Sequence, residues 1–342
     1  MPPEHDDHSE TRPIRTDGDF YTRRVNLTIG PRVFVVLLNY RSPADTLRCV
    51  ASLRRSPSRG VHPVVIDNAS GNGDSQRLSA ALGPAIPVLE TGSNLGYAGG
   101  NNLGIRHALE RDADFVWVLN PDTEVEPETL QGLMTTMALR PDAGFAGSVN
   151  LFGGSDPPTI QFAGGRIDWE GGVVAESIDR GKPLSGRTRR DPYDVDYVAG
   201  TSMLVRRRVF EDVGLLPEHY FLYFEETDFQ VTAARHGWKS VINPLARVWH
   251  YQGSAAHLPA PYYTYYYIRG RILFARKFTD FDDDRIVAGL DGFINGWRSR
   301  VAERAPGRLD TYNTLVEWAL ADGKAGVTGP RPDVDEMPRA GD

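Results

Sequence analysis

The chain is short of cysteine, of long apolar runs and of positive charge. One cysteine in 342 residues, Cys49, cannot close an internal disulfide or build a multi-cysteine metal centre. Its place among Leu47, Val50 and Leu53 reads as helix packing in a reducing compartment. No segment reaches the roughly 18 uninterrupted apolar residues of a membrane span, and the polar N-terminus lacks the apolar centre of a signal peptide, so the expectation is a cytoplasmic protein. A formal net charge of −7 argues against broad electrostatic binding to nucleic acid. Glycine is missing from Val33–Arg41, and no G-x-G-x-x-G follows the first strand, which disfavours both a triphosphate-binding loop and a dinucleotide fold.

What is present is an alternation. Apolar runs at Val33–Leu38, Val61–Ile66, Pro87–Leu89, Phe115–Leu119 and Gly144–Val149 read as strands. Between them lie amphipathic segments at Ala44–Leu53, Ser75–Leu82, Asn101–Arg111 and Pro127–Leu139. Nearly continuous apolar strands alternating with helices predict an α/β fold with a mostly parallel sheet flanked by helices. The second half breaks the alternation. A hairpin is expected across Ile160–Val174, a Gly, Arg and Pro-rich loop across Arg180–Pro192, a strand region at Val195–Val205 and a helix at Glu225–His236. Short strands at Ser240–Ile242 and Arg247–His250, an aromatic helix at Pro261–Phe278, and helices around Asp284–Arg300 and Leu309–Leu320 complete the reading. Residues 1–25 and 325–342 show no periodicity and read as mobile tails, and 281–324 as a helical appendage.

Such sheets bind ligands beyond the carboxyl ends of their strands. Asn39-Tyr40-Arg41, Asp67-Asn68-Ala69-Ser70 and Asp122 all fall there. Ser93–Gly104 adds a glycine-rich segment that permits close backbone approach and opens a helix whose N-terminus favours anions. Each of these is also ordinary turn chemistry when taken singly, and Asp122 or Thr123 would make a good cap for the helix starting near Glu126.

Taken in order, Leu37-Leu38-Asn39-Tyr40, Val65-Ile66-Asp67-Asn68-Ala69-Ser70, Asn94-Leu95-Gly96-Tyr97-Ala98-Gly99-Gly100-Asn101-Asn102, Leu119-Asn120-Pro121-Asp122 and Phe224-Glu225-Glu226-Thr227-Asp228 resemble the bacterial family 2 glycosyltransferases, most closely the rhamnosyltransferase-like subgroup. The resemblance covers roughly Val33 to Phe278. It implies a GT-A domain over 26–280, with a nucleotide-sugar half at 26–150 and an acceptor half of mixed structure at 151–280. It also implies a dTDP- or UDP-linked sugar donor, a divalent metal (Mn2+ or Mg2+) and inversion at the anomeric carbon.

Carried over by residue, Asp67 matches the base-binding Asp, Asn94 lies in the nucleotide-contacting loop, and Asp122 matches the last Asp of D-x-D, whose first position is Asn120. Asn39, Tyr40, Gly99 and Asn102 join the nucleotide-sugar set, with Asp67 and Asn94 read as exposed strand-end turns. His250, in Val248-Trp249-His250-Tyr251-Gln252-Gly253-Ser254, matches a metal-coordinating His. Glu226 takes the place of the general base. Helical spacing puts Glu225 and Asp228 on one face and Glu226 about a quarter-turn away; without the resemblance all three read as a solvated acidic first turn. Gly200, Thr201, Ser202 and Glu225 are expected around the donor-sugar and acceptor pocket. The acceptor would be a glycan, a lipid-linked sugar or a small-molecule hydroxyl, and the tyrosine- and arginine-rich 261–278 segment could meet it, a subunit contact in a homo-oligomer, or the inner face of a membrane. A non-catalytic nucleotide-sugar-binding protein and a sugar-1-phosphate nucleotidyltransferase are the competing readings; the acidic segment and His250 weigh against the first, the glycine-free Val33–Arg41 against the second.

Overall fold

Strand β1 (Val33–Asn39) shows why the chain folds as it does: Val33, Val35 and Leu37 pack into one core while Phe34 and Val36 pack into another. A strand apolar on both sides must be covered on both faces by helices. The computed structural model describes residues 30–171, 173–251, 258–335 and 337. The expected N-terminal tail and Gln252-Gly253-Ser254 lie outside the described residues.

From β1 the order is α1 (Pro43–Leu53), β2 (Val61–Asp67), α2 (Asp74–Leu82), β3 (Val88–Glu90), α3 (Gly96–Leu109), β4 (Phe115–Leu119), β5 (Thr123–Val125), α4 (Thr129–Leu139) and β6 (Ala143–Phe152). Then follow β7 (Ile160–Phe162), β8 (Gly165–Asp168), β9 (Val174–Ser177), β10 (Tyr193–Val195), β11 (Ser202–Arg206), α5 (Arg207–Val213), α6 (Glu225–Arg235) and β12 (Lys239–His250). Helices α7 (Pro261–Phe278), α8 (Asp283–Ala288), α9 (Asp291–Arg304), α10 (Leu309–Ala325) and α11 (Pro332–Asp335) close the chain.

Ten strands form one sheet in the order β10-β12-β6-β11-β4-β1-β2-β3, with β5 on β12 and β7 on β6. The β4-β1-β2-β3 half is parallel, as expected. Strand β11 then inserts antiparallel between β4 and β6, and β12 runs parallel to β6, so the sheet is mixed. This topology gathers the site. Ser202 pairs with Leu119, which lands the 199–201 turn beside Asn120, and β5 pairs with β12 so that His250 faces Thr123, the neighbour of Asp122.

Several expectations change. Helix α3 begins at Gly96, so the glycine-rich segment is the helix's own first turns. A Cβ on Gly104 would sit 2.5 Å from Val36 Cγ1 and one on Gly100 would collide with Leu38, so these glycines seat α3 against β1. Helix α4 has Glu128 at its N-cap and no side-chain cap; Thr123 belongs to β5, and the capping reading of Asp122 is overturned. The two strands expected at 240–250 are one, interrupted by a bulge between Asn243 and Arg247, where Asn243 Oδ1 accepts from the Leu245 and Ala246 amides. The hairpin is β8–β9, while β7 joins the main sheet. The 180–192 loop is fastened to β7 through Ile160 N to Lys182 O and Leu184 N to Pro158 O.

The aromatic α7 is mostly interior. Tyr265, Tyr266 and Arg269 are fully buried, and Arg271 nearly so. Arg269 donates to Tyr220 O at 2.8 Å and Arg271 to Gly289 O at 2.6 Å, so neither guanidinium serves a surface. The described part of the expected C-terminal tail packs here too: Val334 is buried, and Tyr266 Oη donates to Asp335 at 2.8 Å. Among the described residues no helix is long and apolar enough to cross a membrane.

Candidate active site

The nucleotide side is built at the ends of β1 and β2, whose register sets Asn39 beside Asp67. Asn39 Nδ2 donates to Asp67 Oδ1 at 2.8 Å and to Ser70 Oγ at 3.0 Å, while its Oδ1 accepts from Thr46 Oγ1 at 2.8 Å. Asn39 is fully buried, and its amide holds Asp67 in place. Asp67, expected in an exposed turn, is 4% exposed; its Oδ2 accepts the Ser70 amide at 3.2 Å and keeps lone-pair capacity. Asn94 is half-buried and its Oδ1 accepts from Asn68 Nδ2 at 2.9 Å and from Gly96 N at 3.0 Å, which shapes the entry to α3. Tyr40 stands at the rim with the Arg41 guanidinium 5.1 Å from its ring centre.

Two expected contacts are scaffold instead. Asn102 is buried, donates to Leu216 O and Glu218 Oε1 at 2.8 Å each, and accepts from Leu216 N at 3.1 Å, which ties α3 to the 216–218 segment. Gly99 packs beneath Leu95, whose Cβ would lie 2.7 Å from an added Cβ. Ser202 is likewise buried, accepting from the Trp117 indole at 3.1 Å. Thr201 acts through its backbone, its carbonyl accepting from Asn120 N at 3.0 Å.

Asp122 and His250 meet at the neighbouring strand ends, with Asp122 Oδ2 3.3 Å from His250 Nε2. His250 Nδ1 lies 2.6 Å from Gln161 Oε1 on β7. With that carbonyl oxygen accepting from Nδ1–H, a neutral imidazole has its Nε2 lone pair on the Asp122 side, where a cation between the two would be held. An imidazole fixed by an outer partner beside a carboxylate is a donor set suited to a divalent cation. Among the described residues no group of three or more His, Cys, Asp or Glu is placed to hold a metal, so water and phosphate oxygens would complete the coordination. Gln161 was not among the sequence candidates; its one signal is a polar residue between Ile160 and Phe162 in a short buried strand.

The carboxylates at the start of α6 are delivered by a strained turn. Phe221, Tyr223 and Phe224 all have positive φ, at 69°, 65° and 74°. Each such residue costs roughly 1–2 kcal/mol, and strain of this kind concentrates at functional sites. Behind the turn, Asp228 is buried and satisfied by Lys277 Nζ at 2.6 Å and Tyr220 Oη at 2.8 Å. The solvated-turn reading is therefore wrong for Asp228, and also for Glu225, which is 3% exposed.

Glu225 Oε2, Glu226 Oε2 and Asn101 Oδ1 are the buried side-chain oxygens without a hydrogen-bond partner among the described residues. All three surround Tyr97. Asn101 Nδ2 donates to Tyr97 O at 2.9 Å, and both glutamates, with Asp122, raise the pKa of the Tyr97 phenol, after burial as the main cause. Tyr97 thus stays neutral and donates to Gly200 O at 2.8 Å. A Cβ on Gly200 would lie 2.5 Å from that phenol oxygen, which explains the glycine. Burial raises both carboxyl pKa values, and the Glu226 charge raises Glu225 further. Backbone amides of Glu226, Thr227 and Gly200 hold Glu226 lower, so of the two Glu225 is the one raised further.

The mixed sheet thus carries a carboxylate–imidazole pair and a buried acid pair at the ends of its strands. Residues 33–214 match glycosyl transferase family 2, and the chain belongs to that family, in its rhamnosyltransferase-like type. The Haloferax volcanii low-salt glycan biosynthesis hexosyltransferase Agl10 is 28% identical over 286 residues, covering 81% of this chain and 86% of that protein. An N-acetylglucosaminyl-diphospho-decaprenol L-rhamnosyltransferase of Mycobacterium tuberculosis is 30% identical over 246 residues, 66% of this chain and 80% of its own. Among solved structures, the mannosyltransferase PcManGT from Pyrobaculum calidifontis, in complex with GDP-Man and Mn2+, superposes with a TM-score of 0.54 at 14% identity, covering 87% of both chains. GalNAc-T7, with UDP, GalNAc and Mn2+, gives 0.53 at 16% identity over 82% of this chain and 57% of its own. These likenesses establish the GT-A fold.

Proposed function

We propose that the protein is an inverting glycosyltransferase that moves rhamnose or another hexose from a dTDP- or UDP-linked donor to an acceptor hydroxyl, with Glu226 as general base. The observation that carries this reading is the buried Glu226 Oε2 that has no partner inside the protein. It is a proton acceptor left open beside the rim where Asp122 and Asp67 would receive the donor. An acceptor hydroxyl gives its proton to Glu226 while its oxygen attacks the anomeric carbon; the bond to the diphosphate breaks on the opposite face, and configuration inverts. Tyr97 and Gly200 keep the Glu226 side of the pocket rigid, and neutral Glu225 spares the site a second charge.

Asp122 and His250 would hold a Mn2+ or Mg2+ ion, and the chemistry such an ion supplies when bound is positive charge beside the leaving diphosphate. The Pyrobaculum neighbour crystallised with GDP-Man and Mn2+ supports this choice. The name of the mycobacterial relative supports a lipid-linked acceptor and rhamnose as the first donor sugar to try.

Glu226→Gln keeps shape and removes the base. Single-turnover transfer should fall by roughly 10²–10⁴-fold with nucleotide affinity and thermal stability retained. Transfer within a few-fold of wild type would overturn the assignment.

A further inference from the structure

We propose that a cleft between the 184–190 loop and the β12 bulge binds the phosphate headgroup of an anionic lipid. The cavity has a volume of about 320 Å3 and is walled on one side by Arg187, Arg189, Arg190 and Arg247, with no acid among its lining residues. In a chain of net charge −7 this is a local reversal of sign. Arg187 is paired with Asp179, and Arg247 lies 3.9 Å from Glu126, yet the Nε of each is buried without a partner. The Arg187 side chain is only 8% exposed, so it is a fixed part of the wall. Arg189 and Arg190 are exposed and have no ion-pair partner among the described residues; Arg189 is steadied over the Tyr193 ring at 4.3 Å.

Most of the remaining lining is apolar, made by Pro157, Pro158, Leu184, Pro244 and Leu245. Leu245, on the bulge, is 48% exposed and adds an accessible apolar side chain to that lining. Forked guanidiniums match phosphate oxygens, and the proline and leucine wall matches the hydrocarbon next to them. A nucleotide fits less well. The cleft has no Asp, Glu, Asn or Gln to pair with a base or ribose. A second hollow shares Arg189 and Arg190 but adds Asp191, which weakens it as an anion site. The basic membrane-facing surface expected of α7 is thereby found elsewhere, because Arg269 and Arg271 are interior. The proposal rests on the cleft's charge and shape and is independent of the transferase reading.

The test is flotation of the full chain with vesicles of phosphatidylcholine alone or mixed with phosphatidylglycerol, at low and high salt. Binding should require phosphatidylglycerol, weaken with salt, and fall on the order of 30-fold in the Arg189→Gln/Arg190→Gln double variant. Arg54→Gln/Arg55→Gln, another exposed pair, should bind as wild type, and UDP affinity should be unchanged in both. Equal loss in the two double variants, or equal binding to phosphatidylcholine, would overturn the proposal. So would pyrophosphate binding by calorimetry, lost in Arg189→Gln/Arg190→Gln, with no vesicle binding by wild type; that result would assign the cleft to a free phosphate.

Discussion

The β1–β2 rim and the start of α6 make opposite use of buried polar groups. At the rim, the side-chain oxygens of Asn39, Asp67, Asn94 and Asn102 are all answered by donors from the protein. At α6, the buried Glu225 and the half-buried Glu226 each leave a buried oxygen unanswered. An unpaired buried polar atom costs about 1–3 kcal/mol, so the second arrangement persists against the folding free energy. The left-handed Phe221, Tyr223 and Phe224 add strain in the same place. A saturated network holds its members in place, as it holds Asp67 at the rim, whereas the open Glu226 oxygen is the one to which the proposed mechanism sends a substrate's proton.

The contrast can be broken first on the saturated side. Asp67→Ala leaves the Asn39 amide and the Ser70 donors facing nothing, and should destabilise the fold by roughly 2–3 kcal/mol, read as a lower denaturation midpoint at unchanged slope. An unchanged midpoint would show that the network is ornamental and that Asp67 is free to act on ligand alone.

How much of this was legible follows from where the partners lie. The apolar runs placed β1, β2, β4 and α7 within a residue or so, because strand and helix periodicity are local. Glu226, Asp122 and His250 were found through motif order, and the structure brings all three to one rim. What failed was the division between scaffold and contact. Asn39 finds Asp67 28 residues away, Asn102 finds Glu218 116 away, and His250 finds Gln161 89 away. Nothing in the local sequence around these residues reports partners so distant. The three-residue strand β5 was missed, and β7 was expected in a hairpin rather than on β6, for the same reason, since each exists only through pairing with β12 or β6.

Gln161 sharpens the comparison at the metal pair, which lies between the two extremes: His250 has one nitrogen satisfied and the other left for a ligand. Gln161→Leu should release the tautomer and lower Mn2+ affinity by roughly 10–100-fold. The tautomer is read separately, in metal-free protein, from the ring-nitrogen NMR shifts of His250. Proton still on Nδ1, with metal affinity unchanged, would return Gln161 to plain strand packing.

The smallest effect has the opposite sign to the first. Glu225 is neutral when buried, its pKa raised by burial and then by the Glu226 charge, whereas in the unfolded chain it ionises as an ordinary glutamate. Below the unfolded value both states hold the proton and nothing is lost. As pH rises above it, the unfolded state sheds a proton that the native state keeps, so stability declines towards neutral pH. Glu225→Gln removes that term. The variant should match wild type near pH 4 and exceed it by a margin that grows as pH rises towards 8, at most about 1.4 kcal/mol per pH unit. Transfer at pH 7 should persist, because Glu226 keeps the amides of Thr227 and Gly200. A stability difference that is independent of pH, or one that grows on acidification, would mean that Glu225 carries the charge and would exchange the roles of the two carboxyls.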